Sequence, residues 1–74
     1  MVPFTLNESR LYRLRLRPDN NDSCYVNIYH ANDDELIYGL LTNLGASAST
    51  LVYLEAGNYR YGSSNNMAKF VLSY

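Results

Sequence analysis

A chain of 74 residues makes one small domain at most, and a core of that size is marginal unless a metal, a disulfide or a partner chain adds to it. With 47% apolar and 18% charged residues it is globular rather than disordered. The formal charge of −1 argues against a generic nucleic-acid binder, and no apolar run approaches the length of a membrane-spanning helix. The opening also lacks the basic-then-apolar pattern of a signal peptide.

Eight tyrosines, one lysine and four glycines favour pleated, half-buried surfaces over long helices. The first clear element is the alternation of Tyr12, Leu14 and Leu16 against Arg13, Arg15 and Arg17. Period two over six residues predicts a half-buried strand, Leu11–Arg17, preceded by a shorter one near Phe4. Pro18 and the run Asp19-Asn20-Asn21-Asp22 then supply turn chemistry. Tyr25–His30 is extended again, with Val26 and Ile28 on one face. Cys24 is the only cysteine, so no intrachain disulfide or cysteine-based zinc site can form; it reads as a small buried residue at a strand start. His30 is the only histidine and reads as a polar strand end.

The segment Asn32–Gly45 has two readings. As a helix over 33–44, Asn32 caps it, Asp33, Asp34 and Glu35 fill its first turn, and Leu36, Ile37, Leu40, Leu41 and Leu44 form its stripe. As a hairpin, Ala31–Asp34 is the turn and Leu36–Leu41 the return strand. Gly39 costs a helix about 1 kcal/mol relative to alanine, yet local pattern alone favours the helix. Further on, Leu51–Leu54, Tyr59–Tyr61 and Met67–Tyr74 read as strands, with turns at Glu55–Asn58 and Gly62–Asn66. Gly57 suits a positive φ in the first of these. Six or seven short strands predict an all-β antiparallel sandwich over a single domain, residues 1–74. The alternative is an α+β fold with one helix at 33–44.

Three stretches resemble bacterial pre-peptidase C-terminal (PPC) domains, or a related jelly-roll module. Phe4-Thr5-Leu6 with Ser9–Leu16 looks like the opening strands of that family. Tyr25–Tyr29 with Asn32-Asp33-Asp34 is similar to the next strand and its acidic turn. Leu54-Glu55-Ala56-Gly57-Asn58-Tyr59-Arg60-Tyr61 resembles the recurring L-x-x-G-x-Y step between strands, and Phe70–Tyr74 the closing strand. The resemblance implies a jelly-roll-like sandwich in which Asn32–Leu41 is a hairpin. It further implies a non-catalytic module, secreted or at the cell surface, complete here or part of a larger secreted protein, that serves adhesion, accessory binding or assembly. Some members of the family bind calcium. This chain is shorter than a typical member.

Four candidate sites follow from residue type and spacing. Arg13, Arg15 and Arg17 project from one strand face about 7 Å apart, a spacing that suits carboxylates or sulfates on a protein or polysaccharide surface. The alternative is a solvated face that keeps an edge strand from aggregating. Tyr25, Asn27 and Tyr29 form a possible sugar-stacking or protein-contact surface, with cross-strand packing as the alternative. The oxygen-rich turns at Asp19 and Asp22, and at Asp33 and Asp34, could ligate calcium, form ordinary Asx-turns, or pair with the arginine row. Asn7-Glu8-Ser9 and Asn21-Asp22-Ser23 match the glycosylation acceptor pattern. No nucleophile with a base and no separated carboxylate pair stands out, so the expectation is a non-enzyme with no cofactor other than calcium. Open strand edges lacking lysine lead to an expectation of self-association, as an oligomer or filament. A small intracellular α+β regulator is the remaining alternative.

Overall fold

The structure is a computed structural model that describes the backbone of residues 1–74 and every side chain except that of Ala68. The described residues form seven strands and no helix: β1 Val2–Leu6, β2 Arg10–Pro18, β3 Tyr25–His30, β4 Leu36–Leu41, β5 Ala48–Leu54, β6 Gly57–Ser63 and β7 Met67–Ser73. They make two antiparallel sheets, ordered β1-β6-β3-β4 and β5-β2-β7. Only β3 and β4 are consecutive neighbours in one sheet, and every other connection crosses between sheets. The fold is a small all-β antiparallel sandwich.

The segment 33–44 is not a helix. Leu36–Leu41 is the return strand of a hairpin, paired with β3 from Tyr25↔Leu41 to Tyr29↔Leu36. The local pattern misleads because one apolar run serves two ends of an element. Tyr38 and Leu40 enter the core beside Ile28 and Val26, while Leu36 and Leu41 stay exposed. Gly39 removes the last advantage of the helix. A Cβ there would lie 2.8 Å from Asn27 Oδ1, so glycine lets the asparagine of β3 lie across the strand.

Period two in β2 turns Tyr12, Leu14 and Leu16 inward, all buried, against Val26 and Ile28 of β3 and Tyr59 of β6. The rings of Tyr61 and Phe70 bridge the sheets at 4.7 Å. Cys24 is buried just before β3 as expected, and Thr42 is its unforeseen partner: Thr42 Oγ1 accepts from the Cys24 N–H at 2.8 Å. That bond allows a polar side chain into the interior without leaving a donor orphaned. At one end of the sandwich the β1–β2 and β5–β6 connections turn sharply between the sheets. Each is held by a tyrosine hydroxyl that donates to a backbone carbonyl, from Tyr12 to Glu8 and from Tyr59 to Glu55.

Candidate functional site

Because β2 buries its even-numbered side chains, Arg13, Arg15 and Arg17 must all project from the outer face of the three-stranded sheet. Register decides what lies beside them. Arg13 is flanked by Leu51 and Ser73, Arg15 by Ser49 and Val71, and Arg17 by Lys69. Small Ser47 and Ser49 leave a concavity of about 470 Å³ beside the row, lined by Arg13, Arg15, Arg17 and Lys69. A fourth cation thus joins the three read from the sequence. Its alternation with half-buried Phe70 and Leu72 points it outward, but only sheet pairing reveals that it meets Arg17.

The electrostatics of this face follow from what is missing near it. Among the described residues the ion pairs are Arg10 with Glu8 at 3.6 Å and Arg60 with Asp34 at 2.8 Å. None involves Arg13, Arg15, Arg17 or Lys69. The expected pairing of the acidic turns with the arginine row therefore does not occur; Asp34 instead takes Arg60, which lies nearer in the fold. Two neighbouring cations about 7 Å apart repel by about 0.6 kcal/mol in bulk water, and an anion between them reverses that sign. A chain with a net charge of −1 thus presents one face of uniform positive charge.

The opposite outer face carries Tyr25, Asn27 and Tyr29, with Val26 and Ile28 pointing inward as their alternation requires. Here Tyr29 already has a partner. The Arg60 guanidinium sits over the Tyr29 ring at 5.1 Å and also donates to the Asp33 carbonyl at 2.7 Å. Arg60 therefore ties the β3–β4 turn to the sheet. Tyr25 remains exposed at the end of the strand.

The two acidic turns lie at opposite ends of β3, six residues or about 20 Å apart, so Asp19 and Asp22 are not brought to Asp33 and Asp34. Each turn uses its own oxygens locally. Asn20 Oδ1 accepts from the Asp22 N–H at 2.9 Å, and Asp33 Oδ1 accepts from the Glu35 N–H at 2.9 Å. Among the described residues no three His, Cys, Asp or Glu side chains converge as a metal-holding group. His30 ends β3 with its ring stacked on Tyr59 at 5.3 Å, far in character from the buried Cys24. Among the described residues no ion pair engages the arginine row.

No family model, curated protein or solved structure matches the chain.

Proposed function

We propose that this chain is a non-catalytic, secreted or cell-surface binding module whose β5-β2-β7 face holds an acidic polysaccharide. The observation that carries this reading is the set Arg13, Arg15, Arg17 and Lys69: four cations on one face, none with an acidic partner within the described residues. A row that merely solubilised an edge would have no reason to lie on the central strand of its sheet, where β2 is already covered on both sides. Guanidinium forks match carboxylate and sulfate geometry, and a strand repeat of about 7 Å offers them in line to an extended ligand. The neighbouring exposed Leu11, Leu51 and Tyr53 give the same face an apolar half, against which the hydrophobic side of a sugar ring can rest.

Chromatography on a sulfated polysaccharide tests it. The protein is expected to be retained at low ionic strength and released as salt rises, because exposed charges are screened over about 10 Å at 0.1 M. The triple variant Arg13→Gln, Arg15→Gln, Arg17→Gln should elute near the void with an unchanged far-UV spectrum. Flow-through of the unmodified protein at low salt would refute the reading. So would retention that the triple variant leaves intact.

A further inference from the structure

The sandwich ends differently on its two lateral sides. On one side β4 lies over β5, with the Tyr38 hydroxyl 3.4 Å from Thr50 Oγ1, so the two sheets stop together. On the other side β6 lies over β7 through Tyr61 and Phe70, and β1 therefore extends one strand beyond the smaller sheet. Val2, in register with Tyr61, remains 49% exposed there.

The stepped side is guarded against pairing. β1 carries Pro3, which cannot donate to a ladder, and β7 carries Lys69 beside Arg17. A second folded copy approaching β7 would also meet the overhanging β1. The flush side has no such guards. Residues 36–54, which include both of its edge strands, contain no charged side chain and no proline. Of the two, β4 is broken by a register shift against Ile28 and Tyr29, whereas β5 pairs with β2 over its whole length without one. The outer edge of β5 is therefore straight, neutral and unpaired among the described residues. Two of its outward side chains, Leu51 and Tyr53, are 54% and 58% exposed.

We propose that β5 pairs antiparallel with β5 of a second copy of this chain, about a two-fold axis at Leu51. The occupant follows from the strand's own order, Ala48-Ser49-Thr50-Leu51-Val52-Tyr53-Leu54. Folded back on itself about Leu51, it sets Tyr53 against Ser49, Val52 against Thr50 and Leu54 against Ala48. Large meets small at Tyr53 with Ser49 and at Leu54 with Ala48, two β-branched residues meet at Val52 with Thr50, side chains stay on matching faces, and no like charges meet. An isologous contact of this kind closes as a dimer instead of growing into a filament. The flush geometry lets the β4 edges of the two copies come alongside at the same time. Pairing extends β5-β2-β7 to six strands and puts two arginine rows on one face, about 14 Å apart at three strand spacings. The contact itself needs no ligand.

Sedimentation in the absence of polyanion tests this, using four proteins from micromolar to millimolar concentration. The unmodified chain is expected to pass from monomer to dimer. Leu51→Glu should weaken the dimer by at least about tenfold, since the two carboxylates then face each other across the axis. Within one copy that carboxylate stands opposite Arg13, a favourable cross-strand pair, so the fold is retained and far-UV circular dichroism checks it. Leu51→Lys should likewise be monomeric, and an equimolar mixture of the two variants should recover the dimer. Leu41→Glu, on the outer face of β4, is expected to weaken it less than Leu51→Glu. A monomer at every concentration would overturn the proposal. An unchanged dimer in Leu51→Glu, a larger loss from Leu41→Glu, or no recovery on mixing would each overturn it too.

Discussion

The β1–β2 and β5–β6 corners both carry the chain from one sheet to the other, and both are pinned by a tyrosine hydroxyl donating to the carbonyl four residues back. Tyr12 reaches Glu8 at 2.7 Å and Tyr59 reaches Glu55 at 2.5 Å. In each, a leucine is buried as it leaves the first strand, Leu6 in one and Leu54 in the other. A hydrogen bond joins the two corners directly, from the Ala56 N–H to Ser9 Oγ at 2.8 Å. They differ in tightness. The β5–β6 corner needs two residues between strands and a glycine at φ +155°; the β1–β2 corner spends three and has no positive-φ residue. Tyr59 is stacked on Phe4 and His30, whereas Tyr12 borders an opening of about 360 Å³ shared with Leu72 and Tyr74. The same tether thus serves a closed turn with a positive-φ glycine and a more open one without. The closed turn should be the more sensitive to substitution.

Removing the rings should separate the two corners most strongly. Tyr59→Ala is expected to cost about 3–5 kcal/mol, enough to unfold much of the population of so small a domain. Tyr12→Ala should cost less by about 1 kcal/mol, because its surroundings can relax into the neighbouring opening. Urea denaturation of both variants measures the difference; equal losses would show that the two corners are closed alike.

Next in size is the turn glycine. No atom lies within 4 Å of a Cβ built on Gly57, so Gly57→Ala isolates the backbone contribution. Its cost is expected to be about 1–3 kcal/mol from the unfavourable φ alone. Alanine at Asn7 in the other corner should change stability by less than about 0.5 kcal/mol. Thermal melts of the two single variants separate strain from packing.

The hydroxyls come third. Tyr59→Phe and Tyr12→Phe should each lose about 1 kcal/mol, the usual net value of one hydrogen bond. They part company with pH. Burial raises the Tyr59 phenol above its ordinary value of 10, and the charges of Glu55 and then Tyr12 add to the effect, outweighing an opposing backbone hydrogen bond at Glu55. The neutral phenol is therefore favoured in the folded chain. The stability this contributes is fully present below about pH 10 and is lost as pH rises through the higher folded pKa. Stability measured on either side of pH 10 should fall in the unmodified protein and fall less steeply in Tyr59→Phe.

The smallest effect should come from the link between the corners. Ser9→Ala is exposed and should cost about 0.5 kcal/mol. Its interest lies in coupling. In a double-mutant cycle with Tyr12→Phe the two changes should be non-additive, since both hold the same three-residue turn. Strict additivity would mean that the corners fold as independent units.

How these features were legible follows from their range. The β5–β6 corner stands out in the sequence because its signals are adjacent: Leu54, Gly57 and Tyr59 fall within six residues. The β1–β2 corner is hidden, because Tyr12 also belongs to a perfect alternation and is read there as one more inward residue. Strand β2 and the outward arginine row were determined by the sequence alone, since alternating polarity allows only one half-buried arrangement. The burial of Cys24, Val26 and Ile28 follows in the same way. Tertiary structure decided the rest. Leu36–Leu41 pairs as a strand only because β3 offers an edge and Asn27 needs the space over Gly39, neither of which lies within reach of a local pattern. Lys69 joins Arg17, and Arg60 instead of the arginine row takes Asp34, because pairing register sets those distances. Local alternation specifies which face a side chain occupies, while only the packed sheets specify its neighbours on that face.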